Sequence, residues 1–231
     1  MKIAGLQKVS LIDYPGRVAA TVFLAGCNLN CGYCYNRWMI AEARVVAKTT
    51  VEGFLSWLGT RQGLLDGVCV SGGEPTLQPE LPSFLYAIRD QGFAVKLDTN
   101  GTRPVALQAL LEARLVDYVA MDLKAPLDAR YQAVIGREVD LAAFRQSMQL
   151  LRTWGGEYEF RTTVCPQLDE QALEDIVHEL QPGESWFLQL FTAREGIDPA
   201  LAEAKALDEE ALRRLLPRLS AAAHVEIRGG G

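Results

Sequence analysis

Short apolar runs alternate along this chain with helical patterns of ten or so residues, and that alternation restricts its fold more than any other feature. Strand-like runs fall at 18–24, 68–70, 93–97, 118–121, 158–164 and 186–190. Helical spacing of apolar residues falls between and after them, at about 51–58, 79–90, 105–113, 141–154, 170–180 and 209–222, with Thr50 placed to cap the first helix. Such a sequence builds successive right-handed β-α-β units and therefore a parallel sheet. The segment 225–227 is expected to add an edge strand. About six units make an α/β domain, either an open doubly wound sheet or a barrel short of eight strands.

The polar residues collect where those strands end. In parallel α/β folds, the loops after the carboxyl ends of strands converge on one side, and chemistry gathers there. The first run leads into a loop with Cys27, Cys31 and Cys34 in C-x3-C-x2-C spacing, with Tyr33 just before the last cysteine. The second leads into Gly72, Gly73, Glu74 and Pro75, and the third into Asp98, Thr99, Asn100 and Gly101. The fourth ends at Asp122, Leu123 and Lys124, the fifth carries Arg161 and Thr163, and the sixth contains Gln189. All six are expected on one rim.

Three thiolates in one loop with no fourth cysteine nearby suggest an iron-sulfur cube with one iron left open, because such cubes ordinarily take four thiolates. A zinc knot would need four ligands in a closed tetrahedron, and His178 and His224 lie far along the chain. Cys69, inside an apolar run, and Cys165, before Pro166, read as packing residues.

Composition narrows the class without fixing it. The 231 residues are enough for one sizeable core, and 49% hydrophobic with 23% charged residues is ordinary for a globular protein. A net charge of -6 supplies no global attraction to nucleic acid, so no nucleic-acid partner is expected. No apolar run is long enough to cross a bilayer, and the first residues do not have the form of a secretion signal. A cytoplasmic protein with no membrane partner is expected, in which clustered cysteines serve metal or redox chemistry.

Taken together, the cysteine loop, the glycine element and the strand ends resemble the radical S-adenosylmethionine enzymes. The stretch Ser10, Leu11, Ile12, Asp13, Tyr14, Pro15 and Gly16 narrows the resemblance to activating enzymes of glycyl-radical proteins. It is nearest the activating protein of anaerobic ribonucleoside-triphosphate reductase, with pyruvate formate-lyase activating enzyme as a relative. The resemblance covers nearly the whole chain and thins after about Ala193. It implies an incomplete (β/α)6 TIM-like barrel in a single domain over 1–231, with a core at about 17–192 and a terminal helix and edge strand at about 208–228.

The resemblance also implies roles. Cys27, Cys31 and Cys34 would hold three irons of a 4Fe-4S cluster, and S-adenosylmethionine would chelate the fourth through its amino and carboxylate groups. Gly72, Gly73 and Glu74 would meet the methionyl amino group, since glycine lets main chain approach a ligand closely. Asp98, Thr99 and Asp122 would lie by the methionyl group or a monovalent cation. Lys124 and Arg161 would lie near the ribose and carboxylate, with Tyr33, Tyr35 and Gln189 completing the cofactor surroundings. A one-electron donor such as flavodoxin or ferredoxin would drive cleavage of S-adenosylmethionine to methionine and a 5′-deoxyadenosyl radical. That radical would take a hydrogen atom from a glycine of the partner enzyme.

The chain departs from its relatives at two positions. Tyr35 follows Cys34 where relatives usually have histidine, and Gln189 stands on the sixth strand where pyruvate formate-lyase relatives offer a histidine. Tyrosine keeps a ring and a hydrogen-bonding tip but does not carry protons near neutral pH as histidine does. Two other classes remain open at this point: a small-substrate enzyme resembling 7-carboxy-7-deazaguanine synthase, and a non-enzymatic electron carrier or zinc-stabilised adaptor. No residue set proposes the additional pocket that the first would require, and metal content separates the second.

Overall fold

The computed structural model describes residues 1–229. Eight strands follow one another in sheet order as in the sequence, with the first and last at the two ends. They are β1 (Ile3–Ser10), β2 (Ala19–Leu24), β3 (Gly67–Gly72), β4 (Ala94–Thr99), β5 (Tyr118–Asp122), β6 (Glu157–Val164), β7 (Ser185–Leu190) and β8 (His224–Arg228). The helices are α1 (Val51–Gly59), α2 (Leu81–Asp90), α3 (Pro104–Glu112), α4 (Ala129–Ile135), α5 (Leu141–Trp154), α6 (Glu170–Val177), α7 (Pro199–Ala202) and α8 (Glu209–Leu219). The α/β expectation is met, and each of the six anticipated strands is present within a few residues. None of the helices is long and apolar enough to cross a membrane among the described residues.

The chain divides into two compact units. The first holds Met1–Asn28, Trp38–Ala120 and Ala142–Glu157. In it β1 runs antiparallel to β2, while β2, β3 and β4 are parallel, with Thr21 opposite Cys69 and Cys69 opposite Lys96. Helix α1 begins where the Thr50 hydroxyl accepts from Gly53 N, and it buries Phe54 and Leu58, one turn apart. Phe54 meets Phe84 of α2 with ring centroids 5.7 Å apart. Helix α5 buries Phe144, Ser147, Met148 and Leu151 along one face, and the Ser147 hydroxyl donates to Gly101 O at 2.7 Å.

The second unit holds Leu29–Arg37, Met121–Leu141 and the chain from Tyr158. Here β6, β7 and β8 are parallel, with Thr163 opposite Gln189 and Gln189 opposite Arg228. Trp186 is fully buried, and its indole donates to Thr162 Oγ1, which itself donates to Leu123 O. That relay pins β6 to the segment just after β5. Helices α6 and α8 bury Leu173 and Ile176, and Leu212 and Leu215, and pair Glu174 with Arg218.

The architecture departs from the sequence reading in identifiable places. β1 was not anticipated, because Gly5, Gln7 and Lys8 interrupt the apolar pattern of an edge strand whose outer residues face water. Helix α2 starts at Leu81 rather than 79, after a 3-10 turn at Pro75–Leu77 that Pro75 opens. Helices α6 and α8 stop at Val177 and Leu219, short of the expected 180 and 222. Helices α4 and α7 were also not anticipated, and both bear on the cysteine loop.

Candidate active site

In the first unit the site is built from main chain. Gly72 has φ +121°, and an added Cβ would stand 2.3 Å from Leu24 N. An added Cβ on Gly73 would stand 2.0 Å from Gly26 O, closer than any real contact. Their small size is thus required by the chain's own backbone leading into Cys27, a reason the sequence reading had attributed to a ligand. Gly73 N donates to Leu24 O at 2.8 Å and Glu74 N to Gly26 O at 2.7 Å, so β3's end and the root of the cysteine loop are one hydrogen-bonded piece.

The Glu74 side chain turns inward. Its carboxylate is fully buried and accepts from Thr76 N and Oγ1, from Thr99 Oγ1 at 2.8 Å and from Asn100 N at 2.6 Å. Burial pushes this carboxyl above its ordinary range, and the donors oppose that rise. Thr99 therefore serves Glu74 here. Two residues without a part in the sequence reading extend the network: Asn28, next to Cys27, accepts from Asn100 Nδ2 at 2.9 Å and donates to Thr102 Oγ1 at 2.8 Å. Asn-Gly after a strand signals a turn, and a turn needs such side-chain donors and acceptors. Asp98 is held in an ion pair by Lys96, a residue buried in the middle of β4.

In the second unit the site is built from charge. Asp122 Oδ2 receives Lys124 Nζ at 2.9 Å, and its Oδ1 receives Arg161 at 3.1 Å. Two cations on one carboxylate leave one net positive charge in a mostly buried place. Burial alone would pull the Lys124 ammonium down, but Asp122, Tyr33 and Cys31 outweigh it and raise it well above the usual lysine range. Lys124 Nζ lies 5.9 Å from the centre of the Tyr33 ring, so this cation lies against the cysteine loop itself. Tyr33 is buried, which raises its phenol. Gln189 Oε1 accepts from Thr163 Oγ1 at 3.4 Å. The two carboxylates expected to share a monovalent cation thus each have a cation from their own unit.

The same unit shows how the loop is clamped. Asn30 N donates to Ile135 O at 2.9 Å, and Gly136, left-handed at φ +66°, lies so close that a Cβ would stand 2.6 Å from Asn30 O. Helix α4 therefore ends against the loop; its Asp128 cap and terminal glycine were legible start and stop signals. On another side Asp198 N donates to Gly32 O at 2.8 Å, a Cβ on Gly32 would stand 2.9 Å from the end of the Leu201 side chain, and the Arg194 guanidinium lies 5.1 Å above the Tyr35 ring. Tyr35 remains about half exposed.

None of the five cysteines forms a disulfide among the described residues. Cys27 belongs to the first unit and Cys31 and Cys34 to the second, with Cys34 N donating to Cys31 O at 3.2 Å. Burial raises both the Cys31 and Cys34 thiols, so these donors stay protonated until a metal displaces the protons. Soft sulfur donors in a partly buried loop beside positive charge fit an iron-sulfur cluster. Among the described residues no group of three or more His, Cys, Asp or Glu side chains is gathered as a metal site. His178 follows the end of α6, and His224 pairs with Glu226 on β8. Cys69 and Cys165 are both fully buried, the Cys69 sulfur 3.8 Å from Lys96 Nζ and the Cys165 sulfur 3.9 Å from Gln167 Oε1.

The fold is that of a mostly parallel α/β protein with a three-cysteine loop after one strand, glycines after the next and paired charges further along. The chain belongs to the Radical SAM superfamily, whose family model matches residues 21–180. It is 31% identical over 220 residues to a Methanocaldococcus jannaschii protein provisionally named a glycyl-radical enzyme activating enzyme, covering 92% of this chain and 89% of that one. It is 26% identical over 233 residues to the pyruvate formate-lyase-activating enzyme of Clostridium pasteurianum, covering 93% and 94% of the two chains. Among solved structures it matches Streptococcus suis SuiB with a TM-score of 0.67 at 15% identity, over 91% of this chain and 48% of SuiB. The chain thus spans about half of that larger protein, and the match concerns the fold.

Proposed function

We propose that this protein is a glycyl-radical enzyme activase that binds a 4Fe-4S cluster through Cys27, Cys31 and Cys34 and S-adenosylmethionine beside it. The observation that carries the reading is the Asp122, Lys124 and Arg161 trio, whose net positive charge lies against Tyr33 of the cysteine loop. That charge suits the carboxylate of an amino-acid ligand, which a guanidinium and an ammonium bind by charge-assisted hydrogen bonds. When bound, cluster and S-adenosylmethionine supply one-electron reduction and hydrogen-atom abstraction.

The chain's own residues bind, aim and exclude. Lys124 and Arg161 would hold the ligand carboxylate, and Asp98 would accept from its ammonium. The glycine element would fix the loop root through Gly26 and Leu24, so that Cys27 is presented at one place. Tyr33 and the buried side of the loop would keep water from the thiolates, strengthening each electrostatic contact. The near full-length similarity to activating enzymes supports a protein partner, for which we infer anaerobic ribonucleoside-triphosphate reductase, with flavodoxin or ferredoxin as electron donor in the cytoplasm. A single domain over 1–231 is part of this reading.

Anaerobic reconstitution with a reductant, S-adenosylmethionine and candidate glycyl-radical enzymes tests it. A glycyl-radical resonance signal with anaerobic ribonucleotide reductase is the expected outcome. A signal only with another glycyl-radical enzyme would replace the partner and leave the class standing.

A further inference from the structure

Within the first unit, the segment 38–48 returns to the root of the cysteine loop and turns a mixed aromatic and basic face to water. Met39 O accepts from Gly26 N at 2.7 Å and Ile40 O from Cys27 N at 3.3 Å, so the segment is bonded to the main chain that presents Cys27. Its inward side chains, Met39 and Val45, pack with Ala4, Ala25 and Phe23. Farther on, Lys48 N donates to Ile3 O at 2.8 Å, and the Lys2 ammonium donates to Glu42 O at 3.0 Å. Held in this way from behind, the segment leaves Trp38 54% and Val46 87% exposed, and Arg44 and Lys48 are exposed with them. Glu42, the acidic residue between Trp38 and Lys48, is partly buried.

We propose that Trp38, Arg44, Val46 and Lys48 form the docking surface for the protein that delivers the electron, a small acidic protein carrying a one-electron centre near its surface. The inference rests on the reading that Cys27 is a ligand of the cluster, and it adds the side from which the electron enters. Position favours this occupant: electron transfer weakens steeply with distance, and the bonds from Gly26 and Cys27 put the segment beside a cluster ligand. Charge favours it too. An acidic donor is repelled by a chain of net charge -6 and is drawn to a face whose exposed cations outnumber its carboxylate. An exposed tryptophan with an arginine is the composition of a contact surface, and electron-transfer encounters use small interfaces.

Changing the reductant separates docking from chemistry. In the reconstituted holoenzyme, Arg44→Glu combined with Lys48→Glu should leave iron content and dithionite-driven 5′-deoxyadenosine formation unchanged, since dithionite needs no protein docking surface. With subsaturating reduced flavodoxin or reduced ferredoxin, the same variant should be about tenfold slower, because the charge reversal removes electrostatic steering. The unsubstituted rate with a protein donor should fall as salt rises, and that of the variant should stay flat. Trp38→Ser should raise the donor concentration needed for half-maximal rate. Lys8→Glu, the same charge change on β1 near the amino-terminal end of β2, should have no effect. An undiminished donor-driven rate, an equal loss with dithionite, an equal loss in Lys8→Glu, or no turnover with either protein donor would each overturn the proposal. So would a loss of glycyl-radical yield under dithionite with 5′-deoxyadenosine formation intact, which would give the surface to the glycyl-radical enzyme. Absence of dithionite-driven 5′-deoxyadenosine in the unsubstituted holoenzyme would overturn the reading of the cluster site, and this inference with it.

Discussion

The two units hold their share of the candidate residues by different physical means. In the first, the end of β3 and the root of the cysteine loop are locked by glycines and hydrogen bonds, Glu74 gathers four donors and Asp98 pairs with Lys96. In the second, Asp122 receives both Lys124 and Arg161, and the Lys124 ammonium lies near the Tyr33 ring of the loop. Substitutions in the first unit should therefore disturb the end of β3 and the root of the cysteine loop, and those in the second the charges around Asp122. Geometry and charge are divided between them.

Replacing cysteines gives the largest effect and tests whether the two halves serve one centre. Cys27→Ala in the first unit and Cys31→Ala or Cys34→Ala in the second should all reduce 5′-deoxyadenosine formation to background and disturb iron and sulfide content. Normal activity in any one of them would break the common-centre account. Gly73→Ala comes next, because its Cβ meets carbonyl oxygen rather than a flexible side chain. Denaturant unfolding should show a loss of about 3 kcal/mol or more. Lys124→Gln sharpens the contrast: affinity for S-adenosylmethionine should fall about tenfold while the unfolding midpoint changes little, as measured by titration and thermal melting.

Acidity distinguishes the halves more finely. Burial raises the folded-state Glu74 carboxyl above its ordinary 4.5, so the unfolded chain loses that proton first as pH rises. The Glu74 contribution to stability should fall as pH rises from 4.5 through the raised folded value, and level off above it. Glu74→Gln should remove that dependence in stability-versus-pH curves, while costing about 1–2 kcal/mol near neutrality because an amide presents a donor to Asn100 N. The smallest effect is expected at α4, where Asp128→Ala removes an N-cap worth about 1 kcal/mol by thermal unfolding and leaves the charges of the site intact.

Much of this was legible in the sequence. Apolar periodicity marks β2 to β7 because buried parallel strands are nearly continuous apolar runs. The cysteine spacing, Gly72 and Gly73, Asp98, Asp122, Lys124 and Arg161 all stand at or near strand ends, where such folds place their chemistry. Less legible was what each residue does there. Sequence offers no sign that Glu74 turns inward onto Thr99 and Asn100, nor that Gly73 is small because of Gly26 O, since both depend on contacts between distant loops. The clamp on the cysteine loop was harder still. Arg194 and Asp198 lie where resemblance to relatives thins, and α7 is only four residues long, too short for periodicity to reveal. Lys96 was visible as a lysine within an apolar run, and its burial shows that such an interruption carries information.

Anaerobic reconstitution of the unsubstituted protein, followed by metal and sulfide analysis and by 5′-deoxyadenosine measurement with dithionite and S-adenosylmethionine, tests the central claim most directly. The account predicts iron and sulfide in the proportions of a 4Fe-4S cluster and reductant-dependent 5′-deoxyadenosine. A folded protein holding one zinc, without iron or sulfide and without 5′-deoxyadenosine, would contradict it.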